Sequence, residues 1–277
     1  MATDHATVAP GTGLRGIDRR TVLVALLVSL AAMSWAALWL WSLSPWGRYL
    51  EHGGWGDIGA IAALCRAIPS GDIIVTTSLH AIAWVLMIAA MMLPTTIPLL
   101  LMFRRITMAR SDSGRLVSLV VLGFLVVWFV FGAIAHLVDS MLRSMAADSA
   151  WFVVNGWTVG AIVLLGAGWF QFSALKYRCL ERCHTPFAFV ASRWHGRAPA
   201  REAFRIGIDH GAFCVGCCWA LMLLMFVVGM GNLGWMLALA AVMAMEKNLP
   251  WGKHLRTPLG LALLAWGTAV VVSNVHW

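Results

Sequence analysis

Residues 116–139 read LVSLVVLGFLVVWFVFGAIAHLVD, an apolar run with no lysine or arginine and with its one carboxylate, Asp139, at the last position. About 20 such residues in an α-helix cross the roughly 30 Å hydrocarbon core of a bilayer. Further apolar runs lie at 22–43, 76–103, 153–175, 207–229, 233–246 and 257–275. The 233–246 run is short and is expected to tilt or to span only in part. Gly229-Met230-Gly231-Asn232 supplies the turn before it. The pattern predicts an all-α polytopic transmembrane helical bundle of about seven helices.

Composition agrees. Hydrophobic residues make up 61% of the 277 and charged residues only 12%, where a soluble domain carries about 25% charge. In a soluble chain a net charge of +8 would suggest nucleic acid. Here it is read loop by loop, and the partner it implies is the lipid bilayer, with no nucleic acid. If the N-terminus is cytoplasmic and the runs alternate, the inner segments 1–21, 104–115, 176–206 and 246–256 hold 17 lysines and arginines. The outer segments hold three, Arg48, Arg66 and Arg143. Such a bias is the positive-inside signature. Residues 1–20 read as a disordered cytoplasmic tail and 21–277 as a single transmembrane domain. The first apolar run exceeds the roughly 7–15 residues of a signal-peptide core and is expected to be retained. Residues 51–72, Gly-rich and weakly amphipathic, are expected on the outer surface.

Six cysteines are too few for a disulfide scaffold, and five of them are clustered. Cys179 and Cys183 stand one helical turn apart near the inner end of the fourth run, followed by His184 and by Pro186, which stops the helix. The fifth run carries His210, Cys214, Cys217 and Cys218, and the same stripe continues to Met222 and Met225. Gly211 and Gly216 allow another helix to approach closely. Both groups lie at the cytoplasmic ends of consecutive helices, so their sulfurs are expected to be neighbours. Thiolate, thioether and imidazole suit Cu(I), and zinc also accepts Cys and His. A lone cysteine in such a helix is ordinarily a small apolar filler, which is the reading for Cys65.

In the second run Pro94 and Pro98 interrupt the helix beside Met91 and Met92. The freed carbonyls need partners, which Thr95 and Thr96 can supply, and the two methionines become candidate ligands at an irregular spot. His80, His136, Asp139, Met141 and Met145 mark the outer helix ends, where ionisable residues lean functional. Glu246 and Lys247 are expected to neutralise each other, or Glu246 to pair with a loop arginine. No phosphate-binding loop, nucleophile elbow or H-E-x-x-H motif is present, and no catalytic residue is assigned.

Met91-Met92-Leu93-Pro94-Thr95-Thr96, Lys176-x-x-Cys179-Leu180-x-x-Cys183, His210-Gly211-x-x-Cys214-Val215-Gly216-Cys217-Cys218-Trp219-Ala220-Leu221-Met222, Asn232-Leu233-x-Trp235-Met236 and Glu246-Lys247 together resemble a bacterial family. It comprises predicted metal-binding integral membrane proteins of uncharacterised function, some of them labelled copper chaperones. His184 and Gly231 depart from its pattern. The resemblance implies a helical bundle in the bacterial inner (cytoplasmic) membrane, with a suspected metal site.

The function expected is therefore Cu(I) handling, as a carrier or metallochaperone, with a soluble or periplasmic metal-binding partner. The alternatives are a thiol–disulfide oxidoreductase using Cys214-x-x-Cys217, its thiol activated at a helix N-terminus, and a scaffold subunit without chemistry.

Overall fold

The computed structural model describes residues 19–44, 73–147, 151, 155–228 and 232–275. The expected tail, the 51–72 segment with Cys65, and most of the 229–232 turn lie outside them. Among the described residues there are ten α-helices and no strand. They are α1 (Arg19–Ser42), α2 (Ile73–Met91), α3 (Ile97–Thr107), α4 (Ser113–Ala147), α5 (Trp157–Phe170), α6 (Ala174–His184), α7 (Pro186–Ala191), α8 (Pro199–Val228), α9 (Leu233–Asn248) and α10 (Gly252–Val275).

Each of the seven apolar runs carries helix among its described residues, but they do not make seven equal spans. Within α1, α4, α8 and α10, four helices are long and apolar enough to cross a membrane alone. Two more spans arise if α2–α3, bent by 44°, and α5–α6, bent by 62°, each count as one. The 16-residue α9 falls short.

The first bend follows from proline chemistry. A single 3₁₀ turn, Pro94–Thr96, joins α2 to α3. The missing proline N–H groups would strand carbonyls in a dry interior. Thr95 Oγ1 donates to the Met92 carbonyl and Thr96 Oγ1 to the Leu93 carbonyl, both at 2.7 Å. Trp35 Nε1 donates to the Ala90 carbonyl at 3.2 Å. The threonine hydroxyls therefore close the break rather than face a ligand.

The second bend contains no proline. Gln171 and Phe172 leave the helix, and Ser173 caps α6, its Oγ accepting from Lys176 N–H at 3.1 Å. The cause is a buried charge. Lys176 is fully buried, and its ammonium donates to both Glu246 oxygens at 2.9 and 2.7 Å and to Gln171 Oε1. This pins α6 to the C-terminal turn of α9. It also corrects the sequence reading of Glu246, whose partner is neither Lys247 nor a loop arginine.

The α4–α8 crossing sets the centre of the bundle. Gly123 and Gly207 face each other across it. A Cβ on Gly207 would stand 2.1 Å from the Val120 carbonyl oxygen, and one on Gly123 would stand 2.4 Å from that of Phe204. Only glycine lets the backbones approach this closely. The α8 helix also starts earlier than its apolar run, at Pro199. The Glu202 carboxylate gathers the N–H groups of His195, Gly196, Arg197 and Ala198 at 2.8–3.1 Å, and so fixes the incoming loop.

Two outcomes test this account by unfolding in mixed detergent micelles. Gly207→Ala should destabilise the protein by about 1–3 kcal/mol, while Gly114→Ala, with open space around the added carbon, should be neutral. Lys176→Met, which strands the Glu246 carboxylate, should cost about 3–5 kcal/mol, and adding Glu246→Leu should recover most of it.

Candidate metal centre

The Gly123–Gly207 crossing fixes α8, and α8 carries the sulfurs. Cys214, Cys217 and Cys218 are all buried on its inner side. Helical spacing lets Cys217 and Cys218 reach back one turn, so both thiols donate to the Cys214 carbonyl, at 3.1 and 2.8 Å. The α6 helix lies alongside. Gly216 leaves it room, since a Cβ there would stand 2.7 Å from Cys179 Sγ. Gly211 does the same for Val127 of α4, at 2.9 Å. Both glycines expected to permit close approach do so.

The two cysteine groups meet. Cys183 of α6 neighbours Cys217 of α8, which in turn neighbours Cys218 and Cys214. Cys179 closes one side at Gly216. All five cysteines are free thiols. From the other side Met92, at the proline break, brings its sulfur to the same place, where Lys247 Nζ stands 3.6 Å from Met92 Sδ. The Lys247 ammonium also touches Cys214 Sγ at 2.9 Å and Cys218 Sγ at 3.7 Å.

The remaining expected ligands stand in different surroundings. Met91, Met222 and Met225 are buried in the surrounding core. His210 lies one turn before Cys214, with its ring centroid 5.8 Å from both Phe124 and Phe189, stacked on the first and edge-on to the second. His184 Nε2 meets the Glu246 carbonyl oxygen at 2.8 Å. As donor there, it caps the end of α9. Towards the C-terminal end of α4, Met141 and Met145 are exposed, and the His80 side chain lies outside the described residues.

One premise of the redox alternative is corrected. Cys214 sits 15 residues into a helix that begins at Pro199, so no helix N-terminus acts on its thiol.

Sequence reasoning missed Lys247, Lys176 and Gln171. The signal that could have found them is charge accounting. Two lysines, Lys176 and Lys247, border apolar runs, and Glu246 is the carboxylate beside the second of them.

As the side chains stand, no three Cys, His, Asp or Glu residues among those described form a ligating group. The sulfurs adjoin one another and an ammonium. They form a pocket of soft donors rather than a closed coordination shell. The donor set suits a soft monovalent ion: Cu(I) favours thiolate and thioether, whereas zinc sites are typically four-coordinate and rarely use methionine.

No protein of curated function matches the chain, and no solved structure does. Residues 81–270 match the model of the PpoB2 family, described as copper chaperones, and with well over half of its length matched the chain belongs to that family.

Proposed function

We propose that this protein binds Cu(I) within the membrane and hands it on, as a carrier or metallochaperone, through the thiols of Cys179, Cys183, Cys214, Cys217 and Cys218 with the Met92 thioether. The observation that carries this reading is the meeting of α6 and α8 sulfurs with a methionine from the α2–α3 break, all of them buried except the half-buried Cys183. Family membership supports copper as the cargo. A chain of adjoining sulfurs suits transfer, because a soft ion held by two or three thiols moves by exchanging one ligand at a time. Met222 and Met225 extend the sulfur path along α8. His210, His184 and Met91 stand next to it and are assigned a supporting role.

The sidedness proposed is a cytoplasmic N-terminus in a bacterial inner membrane. The basic-residue bias supports it, as does the convergence of Arg20, Arg104, Arg105 and Arg110 on one cavity between the start of α1, the end of α3 and the start of α4. These residues come from two segments assigned to the same face. A soluble or periplasmic copper-binding partner would deliver or collect the ion.

Copper content of purified protein tests the reading. Wild type should carry copper after growth in copper-supplemented medium. The Cys214→Ser/Cys217→Ser/Cys218→Ser variant should fall to background, while Cys65→Ser should not change. Equal copper in wild type and the triple variant would end the proposal. Differential thiol trapping in cells separates it from the oxidoreductase alternative: metal handling leaves Cys214 and Cys217 reduced, and redox shuttling produces a Cys214–Cys217 disulfide that cycles.

A further inference from the structure

The Lys247 side chain is almost wholly buried, yet among the described residues its close contacts are sulfurs rather than a carboxylate. It touches Cys214 Sγ at 2.9 Å, Met92 Sδ at 3.6 Å and Cys218 Sγ at 3.7 Å. The neighbouring Glu246 is already held by Lys176 at 2.7 Å. An ammonium is a compact, strongly hydrated charge. Thiols and thioethers accept hydrogen bonds weakly. For an ammonium this is a poor coordination shell, whereas for a soft cation of the same charge it is a good one.

Resting on the copper reading above, we propose that Met92, Cys214 and Cys218 form a distinct three-sulfur Cu(I) position, that the Lys247 ammonium occupies its centre in the unloaded protein, and that loading displaces Lys247. Metal–thiolate bonds are short, about 2.3 Å. A copper ion drawn to these three sulfurs would therefore lie where Nζ now stands, and the two cations exclude each other. Lysine suits this task because its charge rides on a flexible four-carbon stem. The Lys247 ammonium leaves the sulfurs as Cu(I) arrives, and the Cys218 thiol, which donates to the Cys214 carbonyl, gives up its proton to solvent as it becomes a thiolate ligand. The amine keeps the sulfurs separated and unligated until then, which fits the absence of a ready-made ligating group among the described residues. It also weakens the site deliberately, so that copper is held exchangeably.

The probe is Cu(I) itself, partitioned at fixed pH between purified protein and a chromophoric chelator. Lys247→Met removes the competing charge at similar length and adds a fourth sulfur. It should bind Cu(I) at least about tenfold more tightly than wild type, since the ion no longer has to displace a buried ammonium from the sulfurs. Lys247→Gln should also bind more tightly, Met92→Leu more weakly, and Lys253→Gln should be unchanged.

X-ray absorption at the copper edge should count three sulfur neighbours in loaded wild type and two in Met92→Leu. A nitrogen ligand in wild type would show that Lys247 stays and coordinates, which overturns the proposal. So would wild-type binding combined with Lys247→Met and Lys247→Gln variants that bind equally or more weakly. If wild type takes up no Cu(I), or the triple cysteine variant binds as well as wild type, the functional reading itself fails and this inference falls with it.

Discussion

Two lysine ammoniums are buried within one bundle, and Glu246 is the carboxylate that meets one of them. Everything at the candidate centre follows from how that shortage is met. Lys176 takes Glu246 and Gln171 and thereby bends the chain between α5 and α6. Lys247, on the next residue of α9, projects to the sulfurs instead. A buried charge cannot be left alone at a cost of several kcal/mol. The ion pair on one side and the sulfur pocket on the other are therefore two answers to one electrostatic constraint. Because Glu246 and Lys247 are adjacent in sequence, moving either partner disturbs both.

The glycines make that arrangement reachable. The α8 helix passes α4 at backbone contact distance through Gly123 and Gly207, and passes α6 at Gly216, where only hydrogen separates it from Cys179. Small residues are the usual means of bringing helices together in lipid, where the hydrophobic effect no longer does so. In this chain they also set which sulfurs touch. A bulkier residue at 216 would push α6 outward and separate Cys183 from Cys217.

Much of this was readable from residue order. Hydropathy located the seven apolar runs that carry most of the described helical residues, because lipid demands long apolar stretches and the chain supplies them. Pro94 and Pro98 announced the first break, and the paired spacing of Cys179/Cys183 with Cys214/Cys217/Cys218 announced that two helices would share a sulfur cluster. What stayed hidden depends on partners distant in sequence. The bend at 171–173 has no proline or glycine to mark it, since it is enforced by Glu246, 70 residues from Lys176. The true start of α8 at Pro199 was hidden because its first turns pack on protein rather than lipid: Ala203 and Ile206 are buried beside Phe189 and Val190. Lys247 looked like one more inner-face cation because sequence alone shows no direction for a side chain at the end of a helix.

The order in which the chain is made gives the position of Lys247 a further meaning. The thiols of α6 and α8 precede α9 in the chain, so they are made before Lys247, the residue proposed to sit against them. Until α9 docks, neither the Lys247 ammonium at the sulfurs nor the Glu246 carboxylate that holds Lys176 is in place. Docking of α9 therefore completes the α6 ion pair and the surroundings of the sulfurs in a single step.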